Sequence, residues 1–125
     1  MVFIESRAVK RIVVHFYRTD RGKEPVREWL RNFDDDDRKT IGDDLQTLEF
    51  GWPVGMSVCR PVTNYTGLWE VRSRLKAGKI ARVLFVIKGG KMILLHGFIK
   101  KSQKTPRGDL RLAAKRMKGK NDGKK

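Results

Sequence analysis

The sequence is poor in residues that could cross-link it. One cysteine, Cys59, and two histidines occur in 125 residues, so an internal disulfide is excluded and a structural zinc site is not expected. No apolar run approaches the roughly eighteen residues of a membrane span, and the first residues lack the apolar segment of a secretory signal. We therefore expect a cytoplasmic protein in a reducing compartment, without a membrane partner.

Negative charge is also scarce. The chain has 14 Asp and Glu against 29 Lys and Arg, a formal net charge of +15. Residues 100–125 contain eleven Lys or Arg and two Asp, whereas residues 34–50 contain six Asp, one Glu and two cations. Because the basic excess lies apart from the acidic segment, the sequence predicts a polyanionic partner.

The length suits one domain with a modest core. We expect this domain to span residues 1–117. Residues 118–125, KGKNDGKK, have no apolar side chain and are predicted to form a disordered basic tail.

Hydrophobic periodicity predicts three helices. An apolar stripe at 26–33 follows Pro25, a residue favoured at the first helical position. The acidic run 34–37 is typical of a cap and first turn, and it precedes a second apolar stripe at 41–48. A basic helix is expected after Pro106.

Alternating side chains predict a strand at 12–17 and three more at 68–75, 80–87 and 92–100. The Gly-Gly centre of KGGK at 88–91 indicates a two-residue hairpin. Together these elements predict an α+β fold, in which two N-terminal helices cover one face of an antiparallel meander and a basic C-terminal helix follows. The other face should be more open.

Strand parity brings cations to this open face. Arg72 and Arg74 lie on one side of their strand. Pairing Arg72 with Arg82 closes a three-residue loop at 76–78, and pairing Arg74 with Arg82 preserves the same parity, so either register adds Arg82 to this side. Counting on from the Gly-Gly turn places Gly97, where the missing side chain leaves room, and Lys101 on this face. The same count places Lys100 and His96 on the other side.

A cationic cleft without paired carboxylates suggests phosphate chemistry. Arginine presents a fixed fork of donors to phosphate oxygens, which suits the charge that develops when a neighbouring RNA 2′-OH attacks a phosphate. This chemistry requires no metal or other cofactor. The predicted catalytic residues are Arg72, Arg82, Lys101, Lys104 and His96. The predicted RNA-binding residues are Arg74, Lys100, Arg107 and Arg111.

Two alternatives stay open from the residues alone. The face could bind phosphate without catalysis. His96 could be a hydrogen-bonded core residue on the helix-packed side, unless a bulge near Gly97 re-aims it. A magnesium site at Asp34–Asp37 with Asp43 and Asp44 is disfavoured, because the position of the run indicates helix capping.

The chain resembles the RelE/ParE toxin superfamily, specifically its HigB-like, phage-derived branch, and residues 67–117 match the signature half of that superfamily. The resemblance covers Val13 to Met117. The matching motifs are EPVREWL at 24–30, LWE at 68–70 with Arg72, RVLF at 82–85, LLH at 94–96 and KKSQKTP at 100–106.

The resemblance implies a type II toxin that cleaves mRNA on the ribosome without a metal and is neutralised by an antitoxin with a helix-turn-helix domain. Arg72, Arg82 and the 100–104 string match the positions of cleft cations. Some relatives use a tyrosine beyond the last strand for proton transfer, and none is present here. Lys101, Lys104 or His96 would have to replace it. A ParE-like gyrase inhibitor, a non-catalytic nucleic-acid-binding module and a degenerate toxin are the other readings.

Overall fold

The computed structural model describes residues 9–53, 58–100 and 106–122, and within them the chain forms an α+β fold of five strands and three helices. The strands are β1 (Val13–Phe16), β2 (Cys59–Pro61), β3 (Leu68–Arg74), β4 (Ile80–Lys88) and β5 (Lys91–Lys100). The helices are α1 (Pro25–Leu30), α2 (Asp35–Gly51) and α3 (Arg107–Asp122). The predicted tail at 118–125 overlaps the end of α3 and otherwise lies outside the described residues.

The sheet has the strand order β1-β5-β4-β3-β2. The meander β3-β4-β5 is antiparallel as predicted, but β1 pairs in parallel with β5. The sheet is therefore mixed, and the predicted antiparallel meander forms its central part. After β1 the chain crosses one face of the sheet as α1 and α2, so the first strand can lie parallel to the last. Strand β2 was also missed, because it is only three residues long.

Helices α1 and α2 cover one face, as predicted. Pro25 opens α1, and Val26 is buried beneath it. The Asp34 carboxylate caps α2 by accepting a hydrogen bond of 2.8 Å from the Asp37 amide. Gly42 does not interrupt this helix. The apolar positions Ile41, Leu45 and Leu48 are all buried against the sheet.

Helix α3 lies on the opposite face, which the sequence had predicted to be more open. Leu110, Ala113 and Met117 pack there against a second apolar cluster that includes Leu84 and Leu95. Arg116 fixes the helix further by donating a 2.7 Å hydrogen bond from Nη1 to the Leu95 carbonyl. The apolar stripe of α3 therefore leaves only part of this face uncovered.

The two hairpins differ in regularity. Between β3 and β4 the register pairs Arg72 with Arg82, which is one of the two registers expected from the sequence. Between β4 and β5 the Gly89–Gly90 turn, with φ values of 54° and 77°, sets the expected pairing as far as Phe85 with Leu94. Leu84 then pairs with His96, so β5 carries one extra residue and side-chain parity reverses beyond it.

Candidate functional site

A cleft of about 320 Å³ opens on the α3 side of the sheet. Its floor is formed by β3, β4 and β5, and its walls by β2 with the following loop and by the start of α3. The charged and polar lining residues are Arg60, Thr63, Glu70, Arg82 and Lys100. The apolar ones are Pro61, Val62, Leu84, Phe98, Pro106 and Leu110.

A buried carboxylate organises two of the arginines. Arg82 Nη1 lies 2.6 Å from Glu70 Oε2, and both side chains are 7% exposed. The two groups form an ion pair whose geometry is not that of a hydrogen bond, and Glu70 Oε2 has no hydrogen-bond partner among the described residues. Arg60 Nε approaches the other carboxylate oxygen at 3.5 Å from a half-exposed position. Two guanidinium groups therefore converge on one carboxylate.

Burial shapes the electrostatics of Arg82. Removal from water lowers the pKa of its guanidinium below the ordinary value, the nearby Glu70 charge raises it, and Arg72 and Arg60 lower it again. Arginine nevertheless remains charged in proteins. Arg82 Nε has no hydrogen-bond partner among the described residues, so the buried cation keeps donor capacity that Glu70 does not use.

The other two predicted arginines share this face without lining the cleft. The register places Arg72 directly opposite Arg82 and Arg74 opposite Ile80. Arg72 is half-buried, whereas Arg74 is exposed. The predicted shared face is confirmed, but the cations that meet in the cleft are Arg60, Arg82 and Lys100.

The extra residue in β5 corrects three predicted positions. His96 was expected on the helix-packed side, but it pairs with Leu84 on the cleft face. Lys100 was also expected to point away, yet it lines the cleft. Gly97 lies on the helix-packed face instead, where a side chain would clash with the ring of Trp29. The space at Gly97 therefore admits a helix residue of this chain and not a ligand.

His96 is held beside the cleft by two contacts. Its Nε2 lies 2.6 Å from Asp109 Oδ1 in the first turn of α3. Its ring stacks on Phe98 with centroids 5.7 Å apart and planes inclined by 20°. A histidine oriented by a carboxylate in this way can exchange protons when substrate is present.

The remaining predicted residues lie around the α3 end of the cleft. Lys101 and Lys104 lie outside the described residues. Arg107 and Arg111 are exposed on α3, next in sequence to Pro106 and Leu110, which line the cleft. Their position is compatible with contacts to a long polyanion that extends past the cleft.

Sequence reasoning missed Arg60. The sequence pattern predicted no strand in its segment, but Arg60 pairs directly with Glu70 across β2 and β3. Opposite charges at facing strand positions are a known stabilising pair. Glu70 was a carboxylate on an otherwise cationic strand face, and this anomaly was the signal for a partner on a neighbouring strand.

The acidic run is structural, as predicted. Asp34 caps α2, and Lys76 Nζ lies 2.8 Å from its carboxylate. Asp37 is buried and accepts a 3.1 Å hydrogen bond from the Lys76 amide. Within the described ranges, no group of three or more His, Cys, Asp or Glu is placed to hold a metal ion, and no helix is long and apolar enough to cross a membrane.

The fold and the cleft define a small α+β protein whose cleft is lined by three cationic side chains and one carboxylate. Residues 28–118 match the family described as Phage derived protein Gp49-like (DUF891). The chain belongs to this family, which is of the RelE/HigB-like toxin type. Membership is compatible with a toxin of a toxin–antitoxin system that has nuclease activity, and it suggests an antitoxin partner. No match is found among curated proteins.

Proposed function

We propose that this protein is the toxin of a type II toxin–antitoxin system and cleaves mRNA on the ribosome by metal-independent attack of the RNA 2′-OH. The observation that carries the proposal is the convergence of Arg60, Arg82 and Lys100 in one cleft. Membership of the Gp49-like family is a second and independent support for the proposal. A cognate antitoxin with a helix-turn-helix domain is the proposed partner.

The proposed reaction is a transesterification at one phosphorus atom of the RNA backbone. The 2′-oxygen attacks the adjacent phosphorus, the bond from phosphorus to the 5′-oxygen of the next nucleotide breaks, and a 2′,3′-cyclic phosphate forms. The 2′-OH gives its proton to a base, and the leaving 5′-oxygen takes one from an acid. Fixed cations stabilise the additional negative charge between these events.

The residues present divide these tasks. Arg82 is paired with Glu70 on the floor of the cleft, Arg60 lines it from the β2 wall and Lys100 lines it from the end of β5, so three cations can contact one phosphate. His96 lies beside them, oriented by Asp109, and is the proposed proton-transfer group among the described residues. Lys101 and Lys104 remain proposed cations of the same site.

Arg60 and Lys100 provide the cleanest test, because removing Arg82 would leave the buried Glu70 carboxylate with only the half-exposed Arg60 as a counter-charge. We expect Arg60→Ala and Lys100→Ala each to slow transcript cutting and to lower RNA affinity, with the salt dependence of log Kd reduced by about one per lost phosphate contact. Arg21→Ala, an exposed cation in the turn before α1, is the matched control and should behave as wild type.

The measurements are growth, mRNA integrity and DNA breaks after induced expression, together with RNA binding at several salt concentrations. Transcript cutting that depends on Arg60 and Lys100 supports the proposal. DNA breaks with intact mRNA would instead identify a ParE-like gyrase inhibitor. RNA binding without transcript cutting would identify a non-catalytic module.

A further inference from the structure

The cleft is only half cationic. Its other half is formed by apolar side chains from three directions, namely Val62 from the β2 wall, Leu84 and Phe98 from the floor, and Leu110 from α3. Leu84 is buried beneath α3, whereas Val62, Phe98 and Leu110 are only partly buried and leave apolar surface that phosphate alone would not contact. The apolar half therefore suits a ligand in which an apolar group is attached to the anion.

Phe98 is the residue that joins the two halves. The register places it opposite Arg82, and Lys100 follows on the same face of β5. Stacking against His96 fixes one side of its ring. Phe98 is only partly buried, so part of the ring remains available beside the three cations.

Size limits what this surface can accept. Ligand sites occupy about 300 to 1,000 Å³, and a cleft of about 320 Å³ lies at the lower end of this range. It can hold one planar ring with its phosphate, but neither a helix nor several stacked bases. In a duplex the base faces are already stacked, so only an unpaired nucleotide can offer a ring to such a site.

We propose that the apolar half of the cleft holds one unpaired nucleobase against Phe98, beside a phosphate bound by Arg60, Arg82 and Lys100. The ligand class is a single-stranded ribonucleotide. This inference rests on the proposed function, because it makes the base slot part of the substrate site.

The test compares ligands that share a phosphate and differ in the base. Binding of inorganic phosphate, ribose 5-phosphate and the four nucleoside 5′-monophosphates to the full chain is measured by titration calorimetry at one salt concentration. Stacking of one base on an aromatic side chain should make the nucleotides bind about 5- to 150-fold more tightly than ribose 5-phosphate.

Two variants test whether Phe98 is responsible for the preference for nucleotides over ribose 5-phosphate. Phe98→Leu keeps apolar volume but removes the ring, so it should abolish most of the nucleotide preference and leave the affinity for ribose 5-phosphate unchanged. Phe50→Leu removes an exposed ring at the end of α2 and should change neither. The wild-type comparison requires no variant and stands even if Phe98→Leu folds poorly.

The measurements distinguish a failure of the base slot from a failure of the proposed function. Nucleotides that bind no more tightly than ribose 5-phosphate, or a preference that survives Phe98→Leu, would overturn the base slot while transcript cutting could still uphold the proposed function. A Phe98-dependent preference in a protein that cuts no transcript would overturn the proposed function and leave a nucleotide-binding cleft.

Discussion

Replacing Glu70 by glutamine is expected to destabilise the fold strongly. The substitution keeps the size of the side chain and removes its charge. Arg82, 7% exposed and 2.6 Å from the carboxylate, would then be a buried cation without a counter-charge. Arg60 and Arg72, which already lower the pKa of Arg82, would repel it without compensation.

The magnitude follows from the burial of the pair. Removing one partner of a buried ion pair costs about 3 to 5 kcal/mol, and the half-exposed Arg60 contact adds no more than about 1 kcal/mol. Arg82 borders an open cleft and glutamine still offers an oxygen acceptor, so the lower end applies. We expect a loss of about 3 kcal/mol, which lowers Tm by about 10 °C in a chain of this size.

Urea unfolding followed by tryptophan fluorescence measures the loss as a shift of the midpoint at constant slope. The exposed helix residue Glu28 supplies the control, because Glu28→Gln should change stability by less than about 0.5 kcal/mol. Phosphate should stabilise Glu70→Gln more than wild type, since a bound anion can replace the lost carboxylate.

A double variant separates charge from packing. Because isosteric apolar replacement of a buried pair is often neutral, Glu70→Leu combined with Arg82→Met should recover most of the stability lost in Glu70→Gln. A loss below about 1 kcal/mol in the single variant, or a double variant less stable than the single one, would refute the reasoning.

Two further predictions concern the helix face of the sheet. Gly97→Ala should destabilise the protein by about 2 kcal/mol, because the added methyl group would clash with Trp29. Gly42→Ala, with open space around it, should instead stabilise α2 by about 0.5 to 1 kcal/mol. Equal effects of the two variants on thermal unfolding would contradict the packing argument. The contact with Lys76 and the Asp37 amide lower the pKa of Asp34, so its stabilising effect is present above the ordinary carboxyl pKa and is lost as pH falls through the lowered value. The Tm difference between wild type and Asp34→Ala should therefore shrink in acid, and a constant difference would argue against the cap.

Local chemistry made much of the fold predictable. The Gly89–Gly90 turn sets the β4–β5 register as far as Leu94, because few turn geometries fit a loop so short. Arg72 and Arg82 could be placed on one face because both registers considered for the β3–β4 hairpin have the same parity. The start of α2 was equally predictable, since carboxylates at 34–37 meet the positive end of the helix dipole.

The rest depended on long-range packing. Nothing in the sequence between Leu94 and His96 marks an extra residue. On either side of the bulge β5 contacts both helices, Gly97 lying against Trp29 of α1 and the Leu95 carbonyl accepting from Arg116 of α3. The apolar stripe of α3 was visible, but its choice of face was not. Arg60 became recognisable only through its pairing with Glu70.

The single extra residue in β5 has a consequence for comparing relatives of this protein. Two chains could share every letter of the KKSQKTP string and yet differ by one position in the spacing between LLH and the preceding hairpin. A relative with the same spacing but a regular β5 would turn the histidine, the phenylalanine and the first lysine towards the helices. A relative with one residue fewer between the hairpin turn and the histidine would keep all three side chains in the cleft without a bulge. The number of residues between the turn and the histidine is therefore a better guide to which relatives need the bulge to form this cleft than motif identity alone.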